Sequence, residues 1–297
     1  MVLPVLRQFV LCVRSRPEAI IIYSWLSVIG LFIVCRGFPP PLLLLKVFLA
    51  MTGTALGAYF YNDLCDLEDD ILGREMGASA PSDRPLGRGL ISKRRMGAFA
   101  VTMAATGLIM GALVNTRVFL LQVVSLILNI LYSTEPIRLK KRFLFKQLTI
   151  ALGGILACLT AAMAVGVITG HLSYLMVLYV AVVFGVNPLM DLRDMKGDSK
   201  TGVRTIPIVW GPEFTVKLAL AMFVAISISS FVGFYRLGFN LALPILGTTI
   251  PLAWAYVTYP LLRYWRDYEY TEKAVYRRGL PLYFLLQLTV FIGSIKV

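Results

Sequence analysis

Nine consecutive residues carry most of the chemistry this chain can offer: Asn62-Asp63-Leu64-Cys65-Asp66-Leu67-Glu68-Asp69-Asp70. An echo follows at Asn187-Pro188-Leu189-Met190-Asp191-Leu192-Arg193-Asp194, with Asp198 one turn further on. Aligned, the two share Asn-x-Leu-x-Asp-Leu-x-Asp. On a helix, residues 62, 66, 69 and 70 fall at offsets of 0, 4, 7 and 8 and crowd one face. Residues 187, 191, 194 and 198 do the same. Carboxylates this close repel unless a cation lies between them. Two facing clusters therefore suit a hard divalent ion. Magnesium prefers a few carboxylates completed by phosphate oxygens and water, so a magnesium-bridged diphosphate is the natural ligand. Asp66, Asp70, Asp194 and Asp198 are the expected ligands, and Asn62 and Asn187 could ligate or orient without adding charge. Asp63 and Asp191 are extra carboxylates, available as a base or as support.

Both motifs follow long apolar runs, and the composition says what those runs are. The chain has 297 residues, 58% of them hydrophobic and 15% charged, with a mean hydropathy of +0.76. That excludes an ordinary soluble domain and points to an all-α polytopic membrane protein. Apolar runs near 19–35, 41–61, 96–113, 118–132, 147–169, 172–190, 212–234, 241–262 and 280–295 predict nine transmembrane helices in one bundle, a single domain over 1–297. Small residues from Gly153 to Gly166 suit close helix contacts. Pro244, Pro251 and Pro260 are expected to kink the eighth helix.

The net charge of +13 reflects loops at an anionic membrane face, and no nucleic-acid partner is expected. Most of the 29 basic residues fall in alternate loops. The positive-inside rule then puts the amino terminus and the motif loops in the cytoplasm and the carboxyl terminus on the opposite side. All 16 acidic residues share the motif side, so topology alone brings the two clusters to one face. The matched halves suggest a pseudo-repeat. No cleavable signal is expected, because the first apolar run lacks a small-residue cleavage site. The four cysteines are scattered without CxxC pairing, which suggests neither zinc nor a disulfide framework. His171 is expected in a short interfacial loop.

Two further stretches suit a phosphate. Tyr132-Ser133-Thr134-Glu135-Pro136 closes the fourth run and leads into Arg138, Lys140, Lys141 and Arg142. After the first motif, a Gly/Ala/Ser-rich stretch over 73–81 reads as a mobile loop, and Asp83-Arg84-Pro85-Leu86-Gly87-Arg88-Gly89 follows it.

These residues carry a resemblance. Asn62-x-x-x-Asp66-x-x-x-Asp70 with Arg84-Pro85-Leu86, Tyr132-Ser133-x-x-Pro136-x-Arg138-Leu139-Lys140, and Asp194-x-x-x-Asp198 through Gly202, Thr205, Pro207 and Gly211 are together similar to the signatures of the UbiA superfamily of intramembrane prenyltransferases. Glu135 departs from the small residue or proline expected there. The resemblance implies magnesium-dependent ionisation of an isoprenyl diphosphate such as geranylgeranyl or farnesyl diphosphate. A lipid or aromatic acceptor, of glyceryl-phosphate or quinone-precursor type, then captures the cation. Asn62, Asp66, Asp70, Asp194 and Asp198 would hold Mg2+ and diphosphate. Lys140, with Arg138 and Arg84, would neutralise the leaving group. Tyr132 could stabilise the cation through its ring face or anchor a helix end at the interface. Two rivals share these features: an intramembrane terpene cyclase with the same diphosphate site, and a divalent-cation transporter. Transporters place acidic groups near the bilayer midplane, whereas these lie at one face.

Overall fold

The computed structural model describes residues 4–69, 71, 84–200 and 202–295, and over these it is all-helical. Helix α1 (Val5–Arg14) is followed by a π-helical turn, Ala19–Ser24, that runs into α2 (Trp25–Cys35). Next come α3 (Pro41–Cys65), α4 (Lys93–Val114), α5 (Thr116–Ser133), α6 (Phe145–Val165), α7 (Gly170–Gly185) and α8 (Pro188–Lys200). The remainder comprises α9 (Ile206–Trp210), α10 (Pro212–Leu237), α11 (Ala242–Thr258), α12 (Leu261–Tyr264), α13 (Tyr268–Glu272), a second π-helical turn (Lys273–Gly279) and α14 (Leu280–Ser294).

Among the described residues, seven helices are long and apolar enough to cross a membrane, or eight if a bent pair counts as one span. The sequence predicts nine, and the difference lies at the two ends of the chain. The first apolar run, 19–35, is the second half of the bent pair Val5–Arg14 and Ala19–Cys35, which turns by 64°. The last is α14, a helix of 15 residues entered through a π-helical turn that carries Arg277 and Arg278. Its 15 residues fall short of spanning length because the π-helical turn takes up the residues before it.

The runs at 96–113 and 118–132 form a helical hairpin. Asn115 joins α4 to α5, and its Oδ1 accepts the Val118 amide at 2.9 Å as an N-cap. Helices α3 and α4 meet backbone to backbone. A Cβ on Gly53 would lie 2.6 Å from the Gly107 amide nitrogen, and one on Gly57 would lie 2.7 Å from that of Ala104. Small residues at this spacing allow the contact, which fixes the helix carrying the first motif. Pro251 lies inside α11, while Pro260 follows its end. His171 is not in a loop: it sits in the first turn of α7, buried against Phe239 with ring centroids 4.3 Å apart.

Candidate active site

The first motif closes α3. Asp66 follows the last helical residue, and its amide donates to the Asn62 carbonyl at 2.9 Å. Asn62 is buried with both ends of its amide in use. Its Nδ2 donates to Asp66 Oδ2 at 3.0 Å, and its Oδ1 accepts from Ser133 Oγ at 2.9 Å. It therefore orients Asp66 and ties α3 to the end of α5. Tyr61, on the same turn, shares a 2.8 Å hydrogen bond with Thr134.

The basic stretch after α5 folds back over this carboxylate. Lys140 Nζ donates to Asp66 Oδ1. Arg138 Nη2 reaches Asp66 Oδ1 at 3.2 Å and Asp69 Oδ2 at 2.6 Å, while its Nη1 donates to Glu135 at 3.0 Å. Glu135, the departure from the family pattern, thus helps to aim Arg138. Arg84 Nη1 lies 3.4 Å from Asp63 and 3.8 Å from Asp66. Asp63 is buried and accepts from Arg16, whose guanidinium stands 5.2 Å from the Tyr59 ring centroid. Asp70, the 73–81 stretch and Asp83 lie outside the described residues.

The second motif occupies α8. Asp191 is buried; its Oδ1 accepts from Lys146 Nζ at 2.7 Å and its Oδ2 lies 3.5 Å from Gln147 Nε2. Arg193 holds its neighbour Asp194 at 3.0 and 3.3 Å and stacks on Tyr276, 4.6 Å from the ring centroid. Burial pushes the Asp198 carboxyl up to about 7; Asp191 and Asp194 add to the shift, and Lys146 and Lys140 oppose it.

Both motifs open onto one cavity of 1280 Å³. Asn62, Asp66, Arg84, Tyr132, Lys140, Asn187, Asp194 and Asp198 all line it. Arg138 and Asp191 stand behind the wall, each gripping a residue that belongs to the motifs or to the wall. The lining follows one helical stripe per element, at i, i+3, i+4 and i+7. Helix α3 presents Asn62, Tyr59, Ala58, Ala55, Thr54 and Met51; α5 presents Tyr132, Asn129, Leu128 and Ser125. Helix α6 presents Lys146, Thr149, Ile150 and Gly153, and α7 presents Tyr179, Val182, Val183 and then Val186. On α3 the stripe runs about 16 Å from the charged end, at 1.5 Å per residue. A Cβ on Gly154 would fall 1.9 Å from the Tyr179 ring, so glycine there makes room for one aromatic wall.

The sequence reading passed over Lys146, Arg16 and this aromatic lining. Lys146 carried a signal: it is a lysine directly before the apolar run at 147–169, where a buried charge needs a partner.

The donor set suits a hard divalent cation, since it consists of carboxylate and amide oxygens. Among the described residues no three carboxylate, imidazole or thiol side chains converge on one point. Such an ion would need oxygens from its ligand, as a diphosphate provides.

The comparisons agree with the resemblance. The model of the UbiA prenyltransferase family matches residues 23–285. The digeranylgeranylglyceryl phosphate synthase of Thermococcus gammatolerans is 28% identical over 285 residues, 93% of this chain and 94% of that protein. The synthase of Thermococcus sibiricus is 27% identical over 72% of this chain and 73% of its own length. A solved structure of a UbiA homologue from Archaeoglobus fulgidus bound to DMAPP and Mg2+ superposes with a TM-score of 0.70 at 20% identity, covering 96% of this chain and 99% of that one. At that identity the likeness speaks for the fold.

Proposed function

The chain belongs to the UbiA prenyltransferase family, and from that premise we propose that it transfers an isoprenyl group from its diphosphate to a glyceryl-phosphate lipid, with release of diphosphate. The observation that carries the reading is the cavity both motifs share, charged at the end where they meet and mainly apolar along four helical stripes. The charged end takes the diphosphate and the stripes take the chain.

Magnesium, when bound, would supply positive charge across the diphosphate oxygens as the carbon–oxygen bond breaks. The remaining work falls to the protein's own residues. Asp66, Asp194 and Asp198, with Asp70, hold the ion-bearing end, and Asn62 fixes the direction of Asp66. Lys140 and Arg84, beside Asp66, neutralise the leaving group where its charge develops. Arg138 acts one step back, clamping Asp66 to Asp69. Asn187 and Tyr132 complete the wall, and the ring of Tyr132 screens the allylic cation. The apolar lining keeps out water that would quench the cation. Asp63 and Asp191 are held in buried ion pairs, which favours support over a role as base.

The charge pattern supports nine crossings, with α14 as the ninth, the amino terminus and motif loops cytoplasmic, and the carboxyl terminus opposite. The acceptor assignment follows the relatives, which are named for a glyceryl-phosphate product; that also favours transfer over cyclisation. Incubation with geranylgeranyl diphosphate, Mg2+ and a glyceryl-phosphate ether lipid should give a doubly prenylated lipid. A cyclic hydrocarbon, or prenylation of an aromatic acid alone, would overturn the assignment.

A pH dependence follows from Asp198. A carboxyl that titrates near 7 must lose its proton before it can ligate. The Mg2+ concentration for half-maximal rate should therefore fall about tenfold between pH 6 and pH 8, as protons cease to compete. In Asp198→Asn that slope should flatten. A requirement independent of pH in the wild type would remove Asp198 from the ion-binding set.

A further inference from the structure

Helix α1 packs one side onto the bundle. Gln8 and Cys12 are buried, and Phe9 meets Phe60 and Phe99 edge-on at 6.3 and 5.2 Å. Gln8 pins the helix to the start of α4. Its Nε2 donates to the Leu90 carbonyl at 3.1 Å, and its Oε1 accepts from Arg95 Nη1 at 2.9 Å.

The other side is composed differently. At 3.6 residues per turn, Leu6 and Val10 form an apolar stripe, and Arg7 and Arg14 form a cationic stripe beside it. Leu6 is 73% exposed and Val10 39%; both arginines are exposed. Helix α1 contains no acidic residue, and exposed Arg88, Lys93 and Arg94 flank the segment it is pinned to. The helix turns 64° away from the apolar run that follows it. If that run crosses the bilayer, α1 lies closer to the membrane plane than to its normal. An apolar stripe next to an arginine stripe, at that height, is the pattern of a helix lying in the headgroup boundary.

We propose that α1 is a membrane-surface helix that takes anionic lipid headgroups on Arg7 and Arg14, with Leu6 and Val10 in the acyl boundary, and that this docking holds Arg16 on Asp63. Charge complementarity selects the occupant: the face offers only cations and apolar carbon, and an anionic lipid surface answers both. Arg16 follows α1 by two residues. It donates to Asp63, which precedes the helix end that presents Asp66. A shift of α1 would therefore be felt at the charged end of the cavity. This second half rests on the proposed prenyl transfer; the docking itself does not.

The test uses the full chain with Leu6→Cys carrying an environment-sensitive fluorophore, and the parent chain labelled in parallel as background. It is reconstituted in phosphatidylcholine vesicles with rising phosphatidylglycerol. A lipid-borne quencher should reach the probe, increasingly so as phosphatidylglycerol rises. In Arg7→Gln/Arg14→Gln, half-maximal quenching should need more anionic lipid, with each arginine worth about fivefold in docking equilibrium. Turnover in the same vesicles should follow the probe. A probe reached by aqueous iodide and not by the lipid quencher would overturn the surface role. An unchanged phosphatidylglycerol response in the double variant would overturn the headgroup assignment. Full docking with turnover indifferent to phosphatidylglycerol would break the link through Arg16. No turnover at all, with docking intact, would count against the transfer reading instead.

Discussion

Asp66→Ala is expected to lower turnover by more than ~100-fold while leaving the bundle folded. Asp66 is where the first motif meets the cationic strap: it accepts from Asn62, Arg138 and Lys140, with Arg84 3.8 Å away. Its loss removes an oxygen donor at the point where diphosphate charge would develop, so the transition state suffers more than the ground state. Folding should survive because both arginines keep other partners and Lys140 opens onto the cavity. Arg138 retains Asp69 and Glu135, and Arg84 retains Asp63. Asp69→Ala is the control. Its carboxylate is about a third exposed and serves to anchor Arg138 and Lys141, so its rate should fall far less. Rates at saturating substrate and Mg2+, alongside melting in detergent, decide the matter. Near wild-type turnover in Asp66→Ala would dissolve the first motif as a ligand-holding element.

That contrast between Asp66 and Asp69 could not be read from spacing, which puts both on one helical face. Spacing did put each motif on one helical face after an apolar run, and charge alternation brought the two together. Both readings depend on periodicity and solvation, which a sequence displays directly. The partners of each carboxylate are contacts between distant segments and leave no periodic trace. Asn62 could be a ligand or a brace from its type alone; its contacts with the Ser133 hydroxyl and the Asp66 carboxylate leave no trace in spacing. Tyr132 was equally suited to an interface or a cavity, and its place one turn above Asn129 and Leu128 puts it in the cavity wall. The last apolar run was legible as hydropathy but not as a helix length, because the π-helical turn before α14 takes up residues that a continuous helix would have used.

Lys146 is the sharpest case of what was missed, and Asp191→Ala is expected to cost about 3–5 kcal/mol of stability because of it. The ammonium, with a side chain 19% exposed, lies 2.7 Å from a carboxylate that is 7% exposed. Alanine at 191 leaves that largely buried charge in place without its anion. Detergent melting or denaturant titration should show the loss, along with poor recovery of folded protein. Removing both charges together, as Asp191→Leu with Lys146→Met, should restore most of the stability, because the penalty came from the unpaired ion and not from the pair itself. Turnover should stay low, by ~100-fold or more, because Lys146 also lines the cavity and acts on Asp198 from there. The double variant therefore separates two jobs that one lysine performs. Recovery of both stability and rate would make the pair purely structural and put Lys146 outside the chemistry. Stability that stays low would mean that α6 and α8 depend on the shape of this contact, and that the unpaired charge was never its main cost.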